Sequence, residues 1–259
     1  MSQPLVSIAI PSYNQAAYLE EAIQSILAQS YAPIEIILID GGSTDGSLEI
    51  IQRYADRLAY WQSKPDAGQT DAINQGLDRA TGKYQAWLNA DDRLLPNAVG
   101  EAVEYLEANI KVGLIYGQAD FINASGKVIG KFPAAQTDYA RLMRAYVHIP
   151  QQAAFWRTEL WQQVGPLDAE LYFAMDYDLW VRLAKVSQLK YIERKWAQFR
   201  LHGDSKTMSN DFKAWEDMLR IQQREGGAWF SIMRIKYWIR LLARPLLSWR
   251  RRDVLRQVE

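Results

Sequence analysis

Cysteine is absent from this 259-residue sequence, and histidine occurs only twice. A chain without thiols forms no disulfides, iron–sulfur clusters or cysteine-ligated zinc sites, and it has no thiolate nucleophile. Two histidines are also too few for a histidine-rich metal site. Net charge is absent as well, because thirty basic residues balance thirty acidic ones. A neutral chain is not an electrostatic binder of nucleic acid, so we expect no nucleic-acid partner.

Long apolar runs are also missing. No stretch of about 18 uncharged apolar residues occurs, so we expect no membrane-spanning helix. The opening residues MSQPLVSIAI lack a basic region followed by a long apolar one, so we expect no signal peptide and a cytoplasmic protein. Apolar residues make up 49% of the chain and charged residues 23%. These are the proportions of an ordinary globular domain.

The C-terminal segment is basic, although the net charge of the whole chain is zero. Residues 226–259 contain eight Arg or Lys and two acidic residues, a balance of +6, so residues 1–225 carry −6. Lys236, Arg240 and Arg244 are four residues apart and share one face of a predicted helix at 228–249, whose other positions are largely apolar. This pattern favours peripheral contact of 228–252 with an anionic membrane. A helix packed on the body or on a second subunit is the alternative.

Short apolar runs alternate with helical patterns in the first half of the chain. The runs that predict buried strands are 5–10, 34–39, 58–62 and 84–88. The patterns that predict helices between them are 15–29, 47–54 and 69–80. Strands that alternate with helices are typical of a parallel sheet with crossover helices.

The second half is less regular. A helix is predicted at 96–108, and another at 178–186 with Asp178 as its N-cap. Short strands are predicted at 112–116, 119–122, 127–130 and 189–192, the middle two forming an antiparallel hairpin.

Polar residues follow three of the predicted strands, at 11–14, 40–43 and 89–92. In an open parallel sheet, ligands bind beyond the carboxyl ends of the strands, so we expect these residues to face one crevice. Gly41 and Gly42 allow the backbone to approach a ligand closely, and the helix after them offers N–H groups to an anion. A plain turn is the alternative interpretation of the two glycines.

Asp91 and Asp92 place two adjacent carboxylates after a buried strand. Like charges at this distance repel each other unless a cation or base lies between them. Carboxylate oxygens suit Mg²⁺ or Mn²⁺, and such sites commonly include substrate phosphates. The alternative is that Asp92 caps the helix that starts near Pro96.

Asp176 lies in an aromatic setting with Tyr172, Phe173, Tyr177 and Trp180. Burial beside such neighbours raises the pKa of a carboxyl group and suits it to act as a general base. We expect its neighbour Asp178 to have a structural role.

Two histidines lie in different settings. His202 lies in the polar segment RLHGDSKT with basic residues on both sides, a composition that suits a diphosphate. A solvated loop is the alternative for this segment. His148 lies between apolar residues, and we expect it to be packed and hydrogen-bonded.

The order of these motifs resembles that of the family 2 glycosyltransferases. The segment from Ser7 to Leu48 is similar to the N-terminal signature of the family, and SKPDAGQTDAINQGLDRATGKYQAWLNADD extends it. Three later motifs, HIPQQAAFWRTELWQQVGPLD, MDYDLWVRLA and FRLHGDSKT, match its acceptor half. The resemblance covers about residues 4–210. It implies an α/β GT-A domain at 1–225, followed by an amphipathic helical tail at 226–259. The nucleotide-binding half would be Rossmann-like with a mixed central sheet, at about 1–95, and the acceptor half would be 96–225.

The resemblance also implies a reaction. An inverting enzyme would move a sugar from a nucleotide donor, most commonly a UDP-sugar, to a glycan or polyprenyl-linked acceptor. Such enzymes act in cell-surface polysaccharide synthesis, in the cytoplasm or on the inner face of the membrane. Asp91 and Asp92 would hold Mg²⁺ or Mn²⁺, and Asp176 would deprotonate the acceptor hydroxyl. The nucleotide-binding residues implied are Pro11, Tyr13, Asn14, Asp40, Gly42, Ser43, Asp66, Gly68, Asn89, His202 and Lys206.

Two positions depart from the family pattern. Asn89 replaces the first Asp of the Asp-X-Asp motif, and Met175 replaces the Glu of a Glu-Asp pair. These departures keep open a non-catalytic module that binds a nucleotide-sugar or a glycan. A sugar nucleotidyltransferase is a further alternative, but it needs a Gly-rich loop bearing Arg or Lys near the N-terminus, and PSYNQAAYLEE lacks one.

Overall fold

The computed structural model describes residues 3–203 and 211–243, which form a mixed β-sheet with helices on both faces. The strands are β1 (Val6–Ser12), β2 (Ile34–Asp40), β3 (Tyr60–Ser63), β4 (Tyr84–Trp87), β5 (Arg93–Leu94), β6 (Val112–Ile122), β7 (Val128–Lys131), β8 (Ala154–Arg157) and β9 (Gln188–Arg200). The helices are α1 (Ala16–Leu27), α2 (Ser47–Arg53), α3 (Gln69–Asp78), α4 (Ala98–Ala108), α5 (Tyr139–Leu142), α6 (Thr158–Val164), α7 (Met175–Val186), α8 (Asp211–Arg224) and α9 (Ile232–Leu242).

The strand order within the described residues is β3-β2-β1-β4-β8-β6-β9-β5, and β7 pairs with β6. β1 is parallel to β2 and β4, and β2 is parallel to β3, which confirms the parallel sheet predicted for the first half. β8 is antiparallel to β4 and β6, whereas β6 and β9 are parallel. The predicted hairpin is confirmed as the antiparallel pair of β6 and β7. The sheet is thus parallel on one side and mixed on the other.

Apolar side chains cover both faces of the central strands. All seven residues of β1 are buried, and one face of it packs with α1 and α4 through residues such as Ile8, Leu19 and Val99. The other face packs with α3, α6 and α7 around a cluster of tryptophans. The ring of Trp87 lies 5.6 Å from that of Trp156 and 5.9 Å from that of Trp180. Burial on both faces explains why these strands are continuous apolar runs.

Proline does not end β1 where the sequence predicts. β1 continues through Pro11, which pairs with Ile39 of β2. On its other side, β1 pairs with β4 only as far as Ala9. Pro11 lies beyond that last paired residue, so the N–H that proline lacks is not needed there.

Several elements of the second half are longer than predicted. The strands expected at 112–116 and 119–122 form the single strand β6, and the strand expected at 189–192 forms the thirteen-residue β9. β8 and α8 were not predicted. The described part of the tail contains α9, and its residues 244–259 lie outside the described residues. No helix among the described residues has the length and apolar character needed to cross a bilayer.

Two helical glycines give a matched test of the packing. A Cβ at Gly76 of α3 would lie 2.8 Å from Cβ of Ala9, whereas a Cβ at Gly100 of α4 would meet nothing closer than 3.7 Å. We expect Gly76→Ala to lower the free energy of unfolding by about 1–3 kcal/mol through overpacking against β1. Gly100→Ala should raise it by about 0.4–1 kcal/mol. Urea unfolding measures both, and equal effects in the two variants would contradict this packing.

Candidate active site

The loops after β1 and β2 are joined by hydrogen bonds through one asparagine. The backbone N–H of Asn14 donates to Oγ of Ser43 at 2.7 Å. Its side-chain carbonyl accepts from the N–H of Thr44 at 2.9 Å. Asn14 has a φ of 51°, in the left-handed region that asparagine adopts more readily than most residues. The two loops therefore lie side by side at the carboxyl ends of the parallel strands.

Asp40, the last residue of β2, is fully buried. Its carboxylate accepts from the N–H groups of Gly42 and Ser43 at 3.1 and 2.9 Å. It also accepts from the hydroxyls of Ser43 and Ser63 at 2.5 and 2.7 Å. Gly42 has a φ of 82°, which a residue with a side chain rarely adopts. These bonds hold the turn after β2 in place, and a contact of Asp40 with a nucleobase stays a prediction.

A carboxylate and an aromatic ring flank Gly41. A Cβ at Gly41 would lie 3.1 Å from Oδ2 of Asp66 and 3.2 Å from Cδ2 of Tyr13. Tyr13 is 62% exposed to solvent. Burial raises the pKa of the Asp66 carboxyl, although the 2.8 Å hydrogen bond from the N–H of Gly68 acts in the opposite direction. The structure thus brings together Tyr13, Asp66 and Gly68, which lie on two different loops.

Asn89 is held on both sides of its amide group. Its Oδ1 accepts from Nε2 of Gln69 at 2.9 Å. Its Nδ2 lies 3.2 Å from Oδ2 of Asp92 and 3.3 Å from Oε1 of Gln151. Gln151 in turn donates to the carbonyl of Trp87 at 2.7 Å. The neutral amide at this position therefore joins the end of β4 to α3 and to the segment before β8.

The adjacent carboxylates Asp91 and Asp92 have different environments. Asp92 is 1% exposed, and its Oδ1 accepts from the N–H of Arg200 at 2.8 Å while its Oδ2 accepts from Asn89. Burial, and then the charge of Asp91, raise the pKa of Asp92 well above its usual range. This placement counts against Asp92 as a metal ligand. It also excludes the helix-cap alternative, because α4 begins only at Ala98.

Asp91 is the more exposed of the two adjacent carboxylates. Its side chain is 18% exposed, and its Oδ2 lies 3.1 Å from Nε2 of His202. No cluster of three or more His, Asp or Glu side chains suited to a metal occurs within residues 3–203 and 211–243. Mg²⁺ commonly binds through one or two protein carboxylates, with substrate phosphates and water as its other ligands. One carboxylate beside one imidazole fits a divalent cation of that kind.

Arg200, the last residue of β9, links three segments of the chain near Asp91. It is 1% exposed, and its Nε donates to the carbonyl of Asp91 at 2.8 Å. Its Nη1 donates to the carbonyls of Asn123 and Ala124 at 3.2 and 2.9 Å, and its Nη2 pairs with Glu21. One guanidinium therefore joins the Asp91 turn, the β6–β7 connection and α1.

The start of α7 differs from the prediction. The helix begins at Met175 with Ala174 as its N-cap, so the prediction that Asp178 caps it is wrong. Asp178 is 1% exposed and accepts from Nε of Arg182 at 2.8 Å and from Nη2 of Arg224. Its structural role is confirmed by these two ion pairs.

Asp176 lies in the first turn of α7 and is partly exposed. Its neighbour Met175 is buried, and its sulfur accepts from Oγ1 of Thr70 at 2.9 Å. Thr70 follows Gln69, the residue that donates to Asn89. The start of α3 thus contacts both Met175 at the start of α7 and Asn89 after β4, which are near Asp176 and Asp91 in the chain.

Two further residues singled out in the sequence are Lys206 and His148. Lys206 lies outside the described residues. His148 is hydrogen-bonded as expected, since its Nδ1 lies 2.7 Å from the carbonyl of Pro133. The sequence reasoning missed Gln69 and Gln151, and it noted Arg200 only as a charge beside His202. Their partners lie far away along the chain, so no local pattern could have identified them.

Arg200 and Arg53 allow a matched test of the buried guanidinium. Both pair with a glutamate of α1, but the Arg53 side chain is 59% exposed and that of Arg200 only 2%. We expect Arg200→Gln to lower the free energy of unfolding by about 2–4 kcal/mol, because buried carbonyls lose their donors. Arg53→Gln should change it by less than about 0.5 kcal/mol. Chemical denaturation distinguishes the two, and a similar small loss in both would contradict the role given to Arg200.

Known proteins of one family resemble this chain in sequence. The model of glycosyl transferase family 2 matches residues 7–162. An uncharacterized glycosyltransferase of Rickettsia prowazekii is 31% identical over 224 residues, which cover 83% of this chain and 70% of that protein. The chain spans 30% to 36% of the length of three longer rickettsial relatives.

Solved structures share the fold. S. aureus TarS 1-349 in complex with UDP-GlcNAc has a TM-score of 0.70 at 16% identity, over 88% of this chain and 68% of that one. Mannosyltransferase PcManGT from Pyrobaculum calidifontis, in complex with GDP-Man and Mn²⁺, has a TM-score of 0.67 at 18% identity, over 93% of this chain and 71% of that one. As the order of its motifs predicts, the chain belongs to glycosyl transferase family 2 and has the GT-A fold.

Proposed function

We propose that this glycosyltransferase is an inverting enzyme that takes its sugar from a nucleotide-sugar donor, with a UDP-sugar as our first choice. One observation carries the proposal. Asp91 pairs with His202, while α3 contacts chain neighbours of both proposed carboxylates: Gln69 donates to Asn89, two residues before Asp91, and Thr70 donates to Met175, the residue before Asp176. Such a transfer needs two carboxylates. One lies near the diphosphate of the donor, and the other lies near the hydroxyl group of the acceptor.

The donor nucleoside would lie against the loops after β1, β2 and β3. The exposed Tyr13 ring offers a face on which a base can stack. Asp66 lies beside it across Gly41 and offers an acceptor for a base N–H. Any larger residue at Gly41 would contact both groups, so the absence of a side chain there keeps the pocket open.

The diphosphate would lie near Asp91 and His202, and we propose Mg²⁺ or Mn²⁺ at these residues. A bound divalent cation would neutralise the charge that develops on the leaving nucleoside diphosphate. Asn89 replaces the first aspartate of the Asp-X-Asp motif. Its amide group is already hydrogen-bonded to Gln69, Asp92 and Gln151. We infer that Asp91 and His202 suffice on the protein side and that substrate phosphates complete the set.

Asp176 would act as the general base. In a single displacement the acceptor oxygen forms a bond to the anomeric carbon while the bond to the phosphate oxygen breaks. The acceptor proton goes to the Asp176 carboxylate, and the nucleoside diphosphate leaves with the bonding electron pair. Attack from the face opposite the leaving group inverts the anomeric centre. Met175 takes no part in this step, since it is buried against Thr70.

The acceptor in this proposal is a glycan or a polyprenyl-linked glycan in cell-surface polysaccharide synthesis. A lipid-linked acceptor would place the enzyme at the inner face of the cytoplasmic membrane. The basic composition of 226–259 supports that location.

A binding module without turnover is the second candidate. The neutral Asn89 in place of an acidic residue favours it, because a site with one carboxylate binds a cation more weakly. Turnover separates the two candidates, since a module would bind the donor without consuming it.

Nucleotide binding gives the first test. Thermal unfolding is followed with UDP, GDP, dTDP, CMP and ATP, each with and without Mn²⁺. A ligand at one hundred times its Kd stabilises the folded state by about 2.7 kcal/mol, so we expect a clear rise in Tm with UDP and Mn²⁺. Asp91→Asn should remove the part of the rise that depends on Mn²⁺. No rise with any nucleotide would contradict the donor proposal.

The base is tested by Asp176→Asn. We expect the transfer rate at saturating substrates to fall by about 10²–10⁴-fold, while the rise in Tm with nucleotide is retained. Asp56→Asn removes one charge from an exposed residue of a short 3-10 turn and serves as the control. A rate within about tenfold of the parent enzyme in Asp176→Asn would show that another group accepts the proton.

A further inference from the structure

A stripe of large apolar side chains is exposed on α9 and the loop before it. We define the apolar stripe as Phe230, Ile232, Ile235, Trp238, Ile239 and Leu242. Phe230 is 89% exposed and Leu242 is 82% exposed, and the other four are between 46% and 62% exposed. Positions 232, 235, 239 and 242 recur at helical spacing, so these residues form one continuous face of the helix. Scattered apolar residues are normal on a protein surface, but a contiguous set of this size marks an interaction site.

The opposite face of α9 is fixed to the body of the protein. Met233 is fully buried, and Oγ of Ser231 donates to Gln222 of α8 at 3.0 Å. Nζ of Lys236 donates to the carbonyl of Arg144 at 3.0 Å and lies 3.5 Å from the ring centre of Tyr146. The helix is therefore held in place with the apolar stripe turned outward.

The cations of α9 differ in position: Lys236 and Arg240 contact the body, whereas Arg234 lies by the exposed Trp229. The guanidinium of Arg234 lies 4.0 Å from the ring centre of Trp229, and that of Arg240 lies 5.6 Å from that of Trp215. The sequence continues with further arginines, and residues 226–259 carry a balance of +6. A second copy of this surface would bring like charge against like charge, which disfavours self-association through it. An anionic partner with an apolar interior suits both the basic segment 226–259 and the stripe.

We propose that the apolar stripe inserts into the interface of an anionic lipid bilayer, with α9 lying parallel to the membrane surface. Trp, Phe and aliphatic side chains on one face, with Arg and Lys beside them, are the composition of helices that lie in such interfaces. Tryptophan prefers the level of the headgroups, and Arg234 beside the exposed Trp229 would reach lipid phosphates there.

The helix that carries the apolar stripe is connected through α8 to α7, the helix that contains Asp176. Asp217 of α8 accepts from the N–H of Phe173 at 3.1 Å, and Arg224 of α8 pairs with Asp178 of α7. α8 in turn holds α9 through Gln222. If Asp176 of α7 is the base, as proposed above, a bilayer under the stripe would present a lipid-linked acceptor to the same group of helices.

Vesicle binding by the full chain tests the docking surface. Co-sedimentation is measured with vesicles of phosphatidylglycerol and phosphatidylcholine in equal parts, and with phosphatidylcholine alone. We expect binding to the first and little to the second, with a decrease as salt is raised. The double variant Ile239→Glu with Leu242→Glu should lower the partition coefficient by about tenfold or more. It should leave the rise in Tm with nucleotide unchanged, so the outcome is independent of the proposed catalysis.

A double variant elsewhere provides the matched control. Ile110 and Val128 are 79% and 48% exposed on other parts of the surface, and Ile110→Glu with Val128→Glu should bind vesicles like the parent chain. Absence of binding to the phosphatidylglycerol vesicles would overturn the proposal. So would equal binding by the two double variants. A dimer of the parent chain in light scattering that becomes a monomer in the Ile239→Glu, Leu242→Glu variant would also overturn it, since a second copy would then cover the stripe.

Discussion

The buried guanidinium of Arg200 is the interaction on which the candidate site depends. Removing such a group from water is costly unless its donors are paired, and here the donors meet Asp91, Glu21 and the carbonyls at Asn123 and Ala124. The partners lie on α1, after β4 and after β6, so one side chain fixes three parts of the chain to the end of β9. The backbone at Asp91 is thus held by a residue more than a hundred positions later in the sequence.

The first half of the fold could be predicted because its signals are local. β1, β2 and β4 are short apolar runs buried on both faces, and the turns after them are polar. β9 was harder to predict because its partners β5 and β6 are distant in sequence and much of it is half-exposed or exposed, as at Glu193 and Arg194. β8 has only four residues and depends on pairing with β4 and β6. Such strands are specified by tertiary contacts rather than by composition.

In the candidate site, too, the sequence predicts which residues are involved but not the contacts that distinguish one residue from its neighbour. The order of motifs predicts Asp91 and His202 as site residues, and in the structure their side chains lie 3.1 Å apart. The sequence could not distinguish Asp91 from Asp92, since two adjacent aspartates have the same local pattern. Burial and the N–H of Arg200 distinguish them. The contact of Met175 with Thr70 could not be predicted either, because it joins helices 105 residues apart.

The two hydrogen bonds of Asn14 to the loop after β2 have a thermodynamic consequence for ligand binding. A flexible loop loses conformational entropy when a ligand orders it, and that loss weakens the observed affinity. Here the hydrogen bonds of Asn14 already order the loops after β1 and β2 in the free protein. Their conformational entropy is therefore lost on folding and not on ligand binding. A nucleoside bound beside Tyr13, as proposed above, would meet a preorganised surface and lose less affinity to loop ordering.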